Sequence, residues 1–390
     1  MEPREVDALL VGGGVAAARC ARTLRRKGFA GSIVLVSDEE LPPYNRPPLS
    51  KELLRDVLPA ELAFAEPLTW YERRDVELLG GVPATALDPE VRTVELADGR
   101  LLRYGQLLLA TGAAPRRPSL PGAERALLLR TLPDAEAIRA RALASGRAVV
   151  IGGGFIGVEV ASSLAARGMR VTVVELAGAL WGGSLGEELS DWAVAALAEV
   201  GVELRLHAAC ESVTADGVRL ANEQLAADLV VAGVGVTPRV ALAEAAGLEV
   251  DDGVLVDAGQ RTSGPALFAA GDMARPRDGV RIEHWHAARE AGERAALAML
   301  GAELPPRPAP WVFSEVAGRT LDVVGWAPAW DEVRAVPGGF AYLVGGRVAQ
   351  LAIIDGALPV EAARALVASR PALPELDALP PRDTGGAPTV

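Results

Sequence analysis

Two glycine turns carry the chemistry that can be assigned most directly. The first reads Gly12-x-Gly14-x-x-Ala17 and the second Gly152-x-Gly154-x-x-Gly157. A glycine-rich turn between a strand and a helix lets backbone N–H groups approach a pyrophosphate closely. The helix N-terminus then meets the negative charge with unpaired donors and its dipole. The third position must be small so that helix and strand can pack, and alanine suffices there. One strand later each unit ends in an acid, Asp38 or Glu175, placed to accept both hydroxyls of an adenosine ribose. A lone turn of this type also arises for packing reasons; two, each between strand and helix and each ending in an acid, predict two dinucleotide sites. Two dinucleotides in one chain point to a flavin and a nicotinamide cofactor, which exchange a hydride. Glu175 would repel a 2′-phosphate, and the following LAGALWGGSLG has no arginine to bind one. NADH is therefore expected over NADPH.

Other chemistries lack their residues. The two cysteines, Cys20 and Cys210, cannot build a disulfide scaffold or a four-cysteine iron–sulfur or zinc centre. Both are expected to be buried structural thiols, and no metal site is expected. His207 reads as structural; His284 and His286 flank Trp285 and read as bystanders, with proton handling as the alternative. The balance of 39 basic against 51 acidic residues, a net charge of −12, argues against nucleic acid as the main partner. The basic residues are arginine except for Lys27 and Lys51, a bias that fits a GC-rich genome. Acids in Met1-Glu2-Pro3-Arg4-Glu5 do not suit a signal peptide. The longest apolar run, 148–166, is broken by Glu159 and four glycines and does not suit a membrane span. A cytoplasmic protein is expected.

The elements that must position these groups come from a long internal repeat. Residues 8–38 and 148–175 share an apolar run, a glycine turn, a helix-period stretch closed by glycine, and a β-branched run ending in an acid. Gly12 and Gly152 stand 140 positions apart, as do Gly28 and Gly168. Each copy continues through an excursion with an Asp-Gly turn (Asp98-Gly99, Asp216-Gly217) to a returning apolar strand, so each half is a βαβ unit followed by a small antiparallel hairpin. The fold class is α/β, with two Rossmann-like dinucleotide-binding domains. A third region follows the cluster Pro305-Pro306-Arg307-Pro308: FAYLVGG and RVAQLAII read as a hairpin with a Gly-Gly turn, and PVEAARALVAS as a helix.

Between the first βαβ unit and its excursion stands Pro43-Tyr44-Asn45-Arg46-Pro47-Pro48-Leu49-Ser50-Lys51. With the two glycine turns and LFAAGDMA at 267–274, this closely resembles the FAD-dependent, NADH-using ferredoxin reductases. Those enzymes serve cytochrome P450s and ring-hydroxylating dioxygenases, and share a fold with apoptosis-inducing factor and rubredoxin reductase. The resemblance covers about residues 5–305 and the C-terminal part more loosely. It implies a discontinuous FAD domain (1–112 and 241–308), an NAD domain (113–240) and a C-terminal α+β domain (309–375), and the proline-rich end of the chain reads as a loosely held tail (376–390).

Carried over by position, the resemblance implies that Gly12, Gly14 and Ala16 line the FAD pyrophosphate, with Asp38 on the ribose and Arg46 on the pyrophosphate. Ala84 and Arg130 are further FAD contacts, Asp272 accepts from the ribityl chain, and Trp285 packs beside the ring. Gly152, Gly154, Gly157, Glu175 and Gly235 meet the NAD. Lys51 and Glu159 are implied to meet beside flavin N5, with the lysine placing positive charge there. Lysine at one of two positions among 39 basic residues is unexpected by composition, and a compact ammonium is not interchangeable with a guanidinium in a crowded site.

The implied partner is a small [2Fe–2S] ferredoxin, and the protein is expected as a monomer or homodimer; Arg275, Arg277, Arg281 and Arg289 are candidates for a local docking patch, with a solvated mixed-charge face as the alternative. Rubredoxin, a quinone or a small molecule are alternative acceptors. A flavin- and NADH-binding regulatory protein resembling apoptosis-inducing factor is the alternative of another class. Where such reductases carry a Trp-Ser-Asp-Gln-type motif followed by an aromatic, this chain has Phe313-Ser314-Glu315-Val316-Ala317, so flavin access or docking is expected to differ.

Overall fold

The computed structural model describes residues 2–143 and 146–372; the tail expected at 376–390 lies outside them. In the first half, the strand Arg4–Val11 feeds through the turn at Gly12–Gly14 into the helix Val15–Arg26, and the chain returns as the strand Ile33–Val36. These two strands and Leu101–Leu109 pair in parallel, with Val76–Leu79 outside Ile33–Val36. Leu9, Leu10, Leu35, Leu107 and Leu108 are almost fully buried, as apolar runs in a doubly covered parallel sheet should be. The hairpin strands Ala84–Asp88 and Thr93–Leu96 extend the sheet antiparallel. From far along the chain, Leu267–Ala269 adds a strand parallel to Leu101–Leu109.

The second half repeats the plan. Arg147–Ile151, Arg170–Val174, Glu203–Arg205 and Leu229–Ala232 form a four-stranded parallel sheet, and the helix Phe155–Ala166 follows its first strand. A separate three-stranded antiparallel sheet spans Cys210–Ala226. A short antiparallel ribbon, Ala113–Pro115 with Val236–Pro238, joins the points where the chain enters and leaves this half.

The C-terminal region is a five-stranded antiparallel sheet in the order 311–316, 319–325, 347–354, 339–344, 332–336, covered by the helix Val360–Ser369. The Gly345-Gly346 turn joins two of its strands. Its first strand, Trp311–Val316, packs on the helix Phe155–Ala166 of the second half. No helix of the described residues is long and apolar enough to cross a membrane.

Candidate active site

A cleft of about 920 Å³ lies between the two glycine turns, and both Gly14 and Gly154 face it. Gly12 adopts φ +133°, and a Cβ there would lie 2.1 Å from the Ala110 carbonyl oxygen. Only glycine lets the chain turn this closely over the neighbouring strand end. Gly14 caps the helix Val15–Arg26 without a side-chain hydrogen bond, as Gly154 does for Phe155–Ala166. A Cβ at Gly14 would meet nothing within 4 Å. Gly14, Val15 and Ala16 all line the cleft, so the first turn of that helix borders it, an arrangement that fits the pyrophosphate of a dinucleotide.

Other groups expected at the first site line the same cleft. Ala16 follows the turn, Ala84 starts a hairpin strand, and Asp272 follows the buried strand Leu267–Ala269. Asp272 pairs with Arg130 at 2.7 Å. Arg46 donates to Glu39 at 2.8 Å and to the Arg130 carbonyl, while the Tyr44 hydroxyl accepts from the Leu132 N–H at 3.1 Å. Asp38 pairs with Arg239 at 2.7 Å, both about half-exposed. Trp285 opens the helix Trp285–Met299; its indole N–H donates to Asn45 Oδ1 at 2.7 Å, and the Arg289 guanidinium lies over its ring.

Lys51 and Glu159 meet in the cleft wall. Lys51 Nζ is 2.7 Å from Glu159 Oε2, and both side chains are at least nine-tenths buried. Charges removed from water this fully persist only when paired and hydrogen-bonded. The pair has that support: the Ser50 hydroxyl donates to Glu159 Oε2, the Ser314 hydroxyl donates to Oε1 at 2.7 Å, and Lys51 donates to the Pro47 carbonyl at 3.2 Å.

Gly235 also lines the cleft, whereas Gly152, Gly157 and Glu175 do not. Those three build the second turn from behind. A Cβ on Gly157 would fall 1.9 Å from the Gly152 carbonyl oxygen. Glu175 accepts from the N–H groups of Gly153 at 2.6 Å and Ala177 at 2.7 Å, so its carboxylate fastens the turn.

Residues 6–292 match the pyridine nucleotide-disulphide oxidoreductase family. The chain belongs to that family. It is 35% identical over 380 residues to the anthranilate 1,2-dioxygenase system ferredoxin–NAD(+) reductase component of Burkholderia cepacia, covering 93% of this chain and 94% of that protein. It is 36% identical over 387 residues to the putidaredoxin reductase of Pseudomonas putida, covering 91% and 89%. The structure of a covalent putidaredoxin reductase–putidaredoxin complex superposes with a TM-score of 0.89 at 33% identity, covering 94% of this chain and 93% of that one. Ferredoxin reductases of this family work with FAD and NAD(H), the two dinucleotides expected from the repeated turn.

Within this family frame, several expectations change. Cys20 is fully buried, and burial pushes its thiol far up, but Cys210 is only partly buried, because it begins an edge strand of the small antiparallel sheet. A patch of four arginines does not form. Arg275 pairs with Asp251, Arg277 with Glu249, and Arg281 with Asp252 and Glu283; of the four, Arg281 reaches the cleft-lining Glu283 and Arg289 the ring of Trp285. His284 caps the Trp285–Met299 helix through Nδ1, and burial is the main reason its pKa falls to about 4. Burial first, then Arg364 and Arg289, lower His286 to about 4 as well. Both are neutral near pH 7, and His284 fixes the start of the helix. The hydroxyls of Ser50 and Ser314 on Glu159 are contacts at the buried pair that sequence reasoning missed. The available signal was the serine retained in the otherwise altered 313–317 segment.

Proposed function

We propose that this reductase draws electrons from NADH through FAD held in the cleft and passes them singly to a [2Fe–2S] ferredoxin serving a cytochrome P450 or dioxygenase. The buried Lys51–Glu159 pair, set in the wall of a cleft that both glycine turns face, is the observation that carries this reading. When bound, FAD accepts a two-electron hydride from NADH and releases electrons one at a time. The chain itself supplies binding, orientation and electrostatics.

The open backbone at Gly12, Gly14 and Ala16 would hold the FAD pyrophosphate, with Arg46 as the nearby positive charge and Asp38 on the ribose. Arg130, paired with Asp272, and Ala84 would flank the cofactor, and Trp285 would limit access at the ring. Gly152, Gly154, Gly157 and Gly235 would shape the NAD side, and Glu175 would accept the ribose hydroxyls. Lys51 would keep a desolvated positive charge where electron density rises on reduction. Residues 1–112 with 241–308, 113–240 and 309–375 would act as FAD, NAD and C-terminal units. A cytoplasmic location suits the two free thiols, and the relatives' names support the ferredoxin partner.

Steady-state turnover with NADH against ferredoxin, rubredoxin, quinone and dye acceptors tests the reading, with fastest turnover expected for a ferredoxin. Slow flavin reduction, a stable charge-transfer complex and NADH-dependent dimerisation would instead favour the regulatory class. Lys51→Met should slow flavin reduction by NADH about a hundredfold; an unchanged stopped-flow rate removes Lys51 from the mechanism.

A further inference from the structure

Glu159 is where three distant parts of the chain meet. Lys51 and Ser50 come from the segment after the first βαβ unit, Glu159 from the second-turn helix, and Ser314 from the first strand of the C-terminal sheet. A carboxylate offers about four acceptor positions. On Oε2, Glu159 faces the Lys51 ammonium and the Ser50 hydroxyl. On Oε1, Ser314 is the hydrogen-bond donor found among the described residues. Neighbouring contacts hold the same three parts in register. The Ser163 hydroxyl donates to the Ser50 carbonyl at 2.6 Å, and the Ala317 N–H donates to the Ser162 hydroxyl at 2.9 Å. Glu159 and Ser162, one turn apart on the helix, thus grip Ser314 and Ala317 of the C-terminal segment.

We propose that Ser314 is a positioning residue: by holding Oε1, it fixes the rotation of the Glu159 carboxylate and so the place of the Lys51 ammonium in the cleft wall. The C-terminal sheet thereby completes the electrostatics of a site whose cofactor turns lie elsewhere. This rests on the reading of Lys51 as the charge beside the flavin. The segment 313–317 departs from the related motif at Val316 and Ala317, yet the hydroxyl that reaches Glu159 is present. A charge fixed in a desolvated site acts on a reacting centre with little reorganisation, whereas a loosened charge samples positions farther away.

The test uses the FAD-loaded holoenzyme and four variants: Ser314→Ala, Ser314→Thr, Lys51→Met and the Ser314→Ala/Lys51→Met double variant. Flavin content and Tm establish folding, and the readouts are the flavin midpoint potential and the stopped-flow rate of reduction at saturating NADH. Loss of a hydrogen bond to a charged group predicts a fall of roughly tenfold in that rate for Ser314→Ala, with little change in the NADH concentration for half-saturation. Its midpoint potential should move in the same direction as that of Lys51→Met, towards lower values, and by less. Ser314→Thr, which keeps the hydroxyl, should restore both. In the Lys51→Met background, Ser314→Ala should add little, because residues acting as a unit are non-additive. A normal potential and rate in folded Ser314→Ala, or full additivity with Lys51→Met, overturns the proposal. If Ser314→Ala does not fold, Ser50→Ala removes the other hydroxyl from the same carboxylate, and the same non-additivity with Lys51→Met decides. If Lys51→Met itself leaves rate and potential unchanged, the reading of Lys51 fails first.

Discussion

At the third small position of the first glycine turn, Ala17 is completely buried, and the tight approach beside it comes from outside the turn: a Cβ on Gly292 would come 2.1 Å from the Ala16 carbonyl oxygen. In the second turn the tight approach is internal, Gly157 against Gly152. The acids differ in the same sense. Asp38 pairs with the side chain of Arg239, 201 positions later, whereas Glu175 is held by the backbone N–H groups of Gly153 and Ala177. The first site is therefore braced by chain that returns from beyond the second half, and the second braces itself. One βαβ plan can thus be secured by distant or by local contacts, and the two sites should fail in different ways.

The largest effects should come from filling the two close approaches. Gly157→Ala forces a methyl into a backbone carbonyl, at a cost at or above the ~1–3 kcal/mol of ordinary overpacking. The apparent affinity for NADH should fall by more than about tenfold while FAD content stays near normal. Gly292→Ala should do the reverse, prising apart the helices Val15–Arg26 and Trp285–Met299 and yielding protein poor in FAD. Absorbance at the flavin band and the NADH dependence of flavin reduction measure the two. Loss of FAD in Gly157→Ala to the same degree as in Gly292→Ala would break the comparison.

Acid should also act first on the first half, because His284 and His286 lie on its returning helix. Both have pKa values lowered to about 4 in the folded protein, against about 6.5 when unfolded. Between those values the unfolded chain binds more protons, so their contribution is fully present above pH 6.5 and is lost as pH falls towards 4. For His284 the upper limit is about 3 kcal/mol. A fall in Tm over that window, accompanied by flavin release, is expected, and His284→Asn should flatten it. A Tm independent of pH between 7 and 4.5 would show that the two imidazoles are not coupled to folding.

Replacing the acids gives a smaller contrast. Glu175→Gln turns an amide group towards one of two backbone donors and loses a hydrogen bond to a charged group, about 1.5–3 kcal/mol. NADH affinity should drop roughly tenfold and the preference over NADPH should narrow, because the repelling charge is gone. Asp38→Asn should leave NADH affinity intact and weaken FAD retention. Titration of each variant with both nicotinamide cofactors and with FAD separates these outcomes.

Legibility in the sequence followed the range of the contacts. Glycine turns, apolar strands and terminal acids are local demands of a strand–turn–helix unit, so the α/β plan and the repeat can be read directly. Lys51 was conspicuous because lysine is so scarce. Ser314 was not, since its partner lies 155 positions earlier and a hydroxyl on a strand announces no partner. The arginines at 275, 277 and 281 were candidates for a patch because each has an acid partner more than 20 positions earlier in the chain. Parallel pairing of Val254–Val256 with Ala274–Pro276 brings Asp251, Asp252 and Glu249 back beside them and neutralises the face.

The smallest expected effect probes the distant brace itself. Arg239 and Asp38 are each about half-exposed, and such pairs contribute only about 0–1 kcal/mol. Arg239→Ala should therefore raise the Kd for FAD by no more than about fivefold, and the difference from the parent should shrink in high salt as screening removes the pair. No equivalent salt effect is expected at the second site, where Glu175 is held by backbone donors in a half-buried turn. An increase well above fivefold that persists in high salt would mean that Arg239 meets the cofactor directly. The brace would then be a binding group, and the first site would depend on the returning chain for recognition as well as for support.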